Sequence, residues 1–184
     1  NGAIAGLELS GTVNNSGVIT FASGSSRLGF QGLTTLQGGG EVIMVDQGSH
    51  LTLGYYGLPN DELVNVDHTI RGQGTLSGNI QNQHIIRAEG GELSLSPGTF
   101  DNTAGRVEVA SDGVLRHSGG RSQQNFGDLH IETGGLVTAG SAFHNVNLVG
   151  AGPLVVANNN GAIAGLELSG TVNNSGVITF ASGS

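Results

Sequence analysis

Apolar and polar residues alternate in short bursts along this chain, and the bursts recur at a steady distance. "GVITFASGS" from Gly17, "GEVIMVDQG" from Gly40, "GRVEVASDG" from Gly105 and "GDLHIETGG" from Gly127 share one form. A glycine is followed by two apolar residues separated by one position, and a Gly or Ser closes the unit. The apolar slots are Ile19/Phe21, Val42/Met44, Val107/Val109 and Leu129/Ile131. Alternation with a period of two puts both members of a pair on one side of an extended strand, which predicts half-buried β-strands. Further pairs, Leu28/Phe30, Leu51/Leu53 and Leu93/Leu95, predict a second short strand in the same unit.

Weaker units fill the gaps. "QHIIRAEGG" from Gln83 fits if its register shifts to Ile86/Ala88, because the unshifted reading turns Arg87 inward. "ELVNVDHTI" from Glu62 offers Val64 and Val66, and "GPLVVANNN" from Gly152 offers Leu154 and Val156. Unit starts then fall at 17, 40, 62, 83, 105, 127, 152 and 176, a step of about 22 residues. Short strands joined by glycine turns at that step predict a parallel β-helix. One coil cannot bury its apolar residues alone. Stacked coils lie about 4.8 Å apart, and each strand is hydrogen-bonded above and below. A β-sandwich would instead favour two-residue hairpin turns. No glycine-free stretch keeps a 3.6-residue period, so little or no helix is expected. Asn14, Asn15, Asn102 and Asn158 to Asn160 are read as corners needing positive φ.

A much longer period overlies the short one. Residues 1–25 and 160–184 are identical, "NGAIAGLELSGTVNNSGVITFASGS", at a separation of 159 residues. Two readings fit: a window from a tandem array, or a terminal copy added as a cap or assembly handle. The first is preferred, because Asn1 and Ser184 fall in mid-pattern with no leader. Residues 1–159 then form one β-helix repeat of about seven coils, and 160–184 begin the next on the same solenoid. One repeat would advance roughly 33 Å along the axis.

Composition narrows the function classes. The net charge is −8, and the six basic residues, all arginine, form no cluster. Such a surface repels nucleic acid and anionic lipid, so neither is expected as a partner. No apolar run approaches the roughly 20 residues of a membrane helix. With no cysteine there is no disulfide or thiolate metal site, and with no lysine there is no lysine–asparagine isopeptide bond. Stability must come from packing and hydrogen bonds.

Candidate chemistry is sparse. Histidines 50, 68, 84, 117, 130 and 144 form no HxH or HExxH pair and are expected as scattered surface or turn residues. "GYYGLPNDELVNVD" is the most polar insertion, and Tyr55, Tyr56, Asp61, Glu62 and Asp67 are its candidate interaction residues. It reads either as a binding loop, with a hard cation such as calcium on its carboxylates, or as a longer turn. A polysaccharide-cleaving site would draw on Asp46, Asp67, Glu89, Glu92, Asp112 and Arg87, but no pair stands out by spacing. There is no tryptophan for sugar stacking and no GxSxG elbow. The expectation is no catalytic site, cofactor or metal.

"TLSGNIQNQHIIRAEGGELSLS" and "FDNTAGRVEVASDGVLRHSGG" resemble the repeats of filamentous-haemagglutinin-like adhesins and autotransporter passenger domains of bacteria. The shared pattern, Asn-x-x-Gly-x-h-x-h followed by Gly and a leucine-rich strand, covers most of 11–156. The resemblance implies a right-handed β-helix, secretion to the cell surface, and roles in adhesion, matrix or display. No receptor-binding or secretion motif of those families maps onto these residues. The expected function is a structural repeat of an extracellular fibre or matrix, whose partners are neighbouring copies. The alternatives are an adhesin stalk that binds a glycan or protein through its loops and, behind it, a polysaccharide-active enzyme.

Overall fold

The computed structural model describes residues 6–21, 26–53, 60–118, 124–139, 142–156 and 167–180. Sixteen strands, from Gly6–Asn14 to Val177–Phe180, join in one sheet with every pairing parallel, and the described residues contain no helix. The sheet winds into a β-solenoid of about seven turns.

Each turn visits three faces. The first face stacks Val18–Phe21, Glu41–Met44, 69–72, 85–88, Arg106–Val109, 128–131, 147–150 and 173–174. The second stacks 27–30, His50–Leu53, 74–78, 92–95, Val114–His117, Leu136–Ala139, Pro153–Val156 and Val177–Phe180. The third runs from 11–14 through 33–37, Glu62–Asn65, 79–82, 100–101, 124–125 and 142–144 to 167–169.

The period-two reading holds where the pattern is strong. Ile19 pairs with Val42, Val42 with Ile70, Ile70 with Ile86, Ile86 with Val107 and Val107 with Leu129, giving an inward apolar ladder along the first face. Ile86 and Ala88 are buried and Arg87 points outward, as the shifted register required. On the second face Leu28, Leu51, Leu76 and Leu95 stack in line. Each buried aliphatic side chain contributes about 1.5–3 kcal/mol, so stacking supplies what no single coil could.

Two weak units are corrected. In Glu62–Asn65 the buried residues are Leu63 and Asn65, and Val64 faces outward. That strand lies on the third face, where Leu63 stacks between Thr34 and Ile80. The corresponding rung of the first face is Ile70/Gly72. Leu154 and Val156 do point inward, but on the second face, beside Val137 and Ala139. The coil step is accordingly uneven: Glu41 pairs with Thr69, 28 residues on, and Thr69 with Ile85, only 16 on. The short coil turns its corners on single glycines. Gly72, at φ 118°, is one of them, and a Cβ there would meet the Met44 carbonyl oxygen at 1.9 Å.

Asparagines do mark corners, but not by positive φ. Among the described non-glycine residues only Asn145 has one, at 49°. Asn65, Asn82 and Asn102 are buried instead and stack as a side-chain ladder. Asn65 Nδ2 donates to Asn82 Oδ1 at 2.7 Å, and Asn82 Nδ2 donates to Asn102 Oδ1 at 2.6 Å. Asn102 Nδ2 continues the chain to the Phe126 carbonyl. Asn158 to Asn160 lie outside the described residues.

The described parts of the two copies, 6–21 and 167–180, place equivalent residues on different faces. Val18–Phe21 pairs with Glu41–Met44 on the first face, whereas the identical Val177–Phe180 pairs with Pro153–Val156 on the second. The same side chains point inward in both copies: Ile19 is packed on the core, and so is Ile178.

Candidate functional site

The described residues singled out in the polar insertion, Asp61, Glu62 and Asp67, do not converge. Tyr55 and Tyr56 lie outside the described residues. Asp61 is buried, and its Oδ1 accepts the Gly32 N–H at 2.8 Å while its carbonyl accepts from Asn79. Glu62 sits on the outward side of its strand. Asp67 belongs to a different corner, where its carboxylate accepts the Gly39 N–H at 2.9 Å. That bond is the main reason its pKa lies below the usual carboxylate value. Among the described residues no three His, Asp or Glu side chains group as ligands for a cation.

Asp67 instead clamps His68, which is buried rather than exposed. His68 Nδ1 lies 3.3 Å from Asp67 Oδ1, and Nε2 lies 3.1 Å from Asn15 Nδ2. The carboxylate can only accept, so Nδ1 carries the proton and Nε2 accepts from Asn15. An Asp–His pair of this kind orients a base in hydrolases, but here the free nitrogen is taken by an amide that is no nucleophile. The corner links residues 15, 39 and 67–68, which come from three successive coils.

His117 is also buried, between Phe126 and Phe143, at ring-centroid distances of 4.8 and 5.0 Å. Its Nδ1 donates to the Leu95 carbonyl at 3.3 Å. Nε2 has no partner in hydrogen-bond geometry, although the Ala142 backbone weakly favours the protonated ring. Burial dominates and lowers the pKa to about 4, so the ring is neutral near pH 7. The surface-or-turn expectation for the histidines therefore fails for His117, whereas His68 does lie at a turn but is buried there. Their sequence signal was position: His117 occupies the inward slot that Leu95 fills one coil earlier.

Of the acidic candidates, Glu89 and Asp112 meet Arg87 in an outward groove of about 480 Å³, walled also by Met44, Gly72 and Glu132. Asp46, Asp67 and Glu92 do not line it; Asp46 Oδ1 accepts the Gly48 N–H within its own turn. A ladder of ion pairs runs along this face. Arg71 binds Glu41 at 3.2 Å and Glu89 at 2.6 Å. Arg87 binds Glu89 at 3.0 Å, Glu108 at 2.8 Å and Glu132 at 2.8 Å, and Arg106 reaches Glu108 at 3.3 Å. Partial burial works against the Arg87 charge, but hydrogen bonds to Glu108, Glu132 and Glu89 outweigh it and raise the pKa above its ordinary value. The Arg87 hydrogen bond likewise holds the Glu132 carboxyl below its usual range. A carboxyl so held is a poor general acid near neutral pH. The arrangement staples coils. Its signal was legible only with the coil register known, because Arg71, Arg87 and Glu108 occupy one outward row.

The two ends of the stack offer a different surface. Phe21 is 4% exposed beneath Met44, while Phe180, its equivalent in the second copy, is 75% exposed. Leu168, Val172 and Val177 are exposed on the same last coil, and Leu7 and Val18 on the first. Among the described residues, 6–21 and 167–180 are paired along one edge only. No family model, no curated protein and no solved structure matches the chain.

Proposed function

We propose that this chain is a structural repeat of a tandem β-solenoid, a building unit of an extracellular fibre, stalk or matrix filament of the haemagglutinin-like kind. The observation that carries this reading is the second copy of the repeated sequence. Residues 167–180 add strands to 142–150 and Pro153–Val156 in parallel register and lengthen the same stack. The acidic surface and the absence of lysine suit a soluble filament that repels its neighbours laterally. The arginine-bound carboxylates of the outward groove favour a structural role over a catalytic one. The partners in this reading are neighbouring copies of the repeat.

The deciding experiment is the intact mass of the native protein after full denaturation. A mass that exceeds 18.5 kDa by multiples of one repeat is expected. A native mass of 18.5 kDa would sink the tandem reading and leave a discrete subunit with duplicated ends.

A further inference from the structure

The repeated sequence is seen in two environments, and each shows one side of the same coil. In the first copy the side toward the C-terminal end is covered: Leu9 pairs with Phe30, Val13 with Leu36, Ile19 with Val42 and Phe21 with Met44. In the second copy the opposite side is covered: Leu168 pairs with Phe143, Val172 with Val146, Ile178 with Leu154 and Phe180 with Val156. The two sets of neighbours lie on opposite edges, so they are compatible with one another. Together they describe a complete coil, with apolar residues above and below every inward side chain.

The faces do not match, and this sets a rotation. Thr20 stands in the outward row Ile43, Arg71, Arg87, Glu108, His130 and Val149 on the first face. Thr179, its equivalent, stands beside Val155 on the second face. From 27–30 to Val177–Phe180 the second face completes seven coils, and from Val18–Phe21 to 27–30 the chain moves on one face. One period therefore spans seven coils and one face.

We infer that the free edge of residues 167–180 is the seat for residues 27–44 of a following repeat, turned about the axis by one face of three. Phe30 of that repeat lies over Leu168, Leu36 over Val172, Val42 over Ile178 and Met44 over Phe180. Three repeats restore the starting orientation. The Arg–Glu groove then appears in turn on each side of the filament, and no side carries an unbroken charged stripe. The continuation rests on the tandem reading above, whereas the one-face offset is a property of the single chain.

The chain has no cysteine, which makes paired thiols a clean probe. The 184-residue chain is prepared with Val155→Cys plus Thr179→Cys, and separately with Val149→Cys plus Thr179→Cys. Each is treated with a short bifunctional thiol reagent after circular dichroism confirms the native β signal. Efficient intramolecular cross-linking is expected for the first pair and none for the second. Cross-linking of 149 to 179, or of neither pair, overturns the one-face offset. A chain extended by one further period then carries Thr179→Cys and the second-period equivalent of Ile43→Cys. Cross-linking of these two is expected, and its absence in a folded chain overturns the proposed seat. A Thr179-to-Thr179 cross-linked dimer of the 184-residue variant would assign the edge to a second chain and overturn it as well. A native mass of 18.5 kDa alone would remove the tandem setting while leaving the 155–179 result standing.

Discussion

Asn82 and Asn102, twenty residues apart, are joined inside the solenoid by a hydrogen bond of 2.6 Å from Nδ2 to Oδ1. Asn82 also accepts from Asn65 and donates to the His84 carbonyl, so one side chain serves three coils. Replacing Asn82 with Ala strands the Asn65 donor and the Asn102 acceptor in a buried corner. A loss of about 2–4 kcal/mol is expected from those unsatisfied groups. Urea unfolding followed by circular dichroism measures it, and a loss under 1 kcal/mol would show that the ladder is dispensable.

His117 makes stability depend on pH. Its folded pKa of about 4 lies below the unfolded value of about 6.5. The unfolded chain therefore binds more protons between those limits, and stability falls as pH drops from about 6.5 to about 4. The full span is worth on the order of 3 kcal/mol. His117→Phe keeps an aromatic ring between Phe126 and Phe143 and is expected to flatten this slope. Melting temperatures of both proteins from pH 4 to 7 test it; parallel slopes would exclude His117 as the source.

Arg87 gathers three carboxylates from three coils at about one-quarter side-chain exposure. In Arg87→Gln, Arg71 still holds Glu89 and Arg106 still holds Glu108, whereas Glu132 loses its arginine. The expected cost is about 1 kcal/mol at low salt, shrinking as salt screens the Arg87 pairs of the unsubstituted protein. In the same variant the Glu132 pKa is expected to rise toward its ordinary value, read by NMR titration. An unchanged Glu132 would mean that Arg87 does not set its charge.

Two glycines separate backbone freedom from close approach. Gly11 has φ 65° and open space around its missing Cβ, so Gly11→Ala is expected to cost about 1 kcal/mol. Gly72 has φ 118° and the Met44 carbonyl in the way, so Gly72→Ala is expected to cost more than about 4 kcal/mol. Comparable stabilities for the two variants would disprove the close stacking at 44 and 72.

The sequence by itself determined the parallel stacking of short strands and, where the alternation is strong, their inward and outward sides. Ile19, Val42, Val107 and Leu129 could be read inward without coordinates, because alternation is local and its period is fixed by strand geometry. Arg87 was recoverable for the same reason, since a charge in an inward slot is costly enough to shift a register. The face on which each strand lies was decided only in three dimensions. "ELVNV" permits two alternations, and Leu63 with Asn65 wins over Val64 with Val66 because Leu63 stacks on Thr34 and Ile80 while Asn65 starts the ladder. The ion pairs of Arg71 and Arg87, the burial of His68 and the one-face offset of Phe180 share this origin. Their cross-coil partners lie one or two coils away, at separations from 18 residues for Arg71 and Glu89 to 45 for Arg87 and Glu132 and 53 for His68 and Asn15, and corner loops alter these freely, so no constant sequence spacing could announce them.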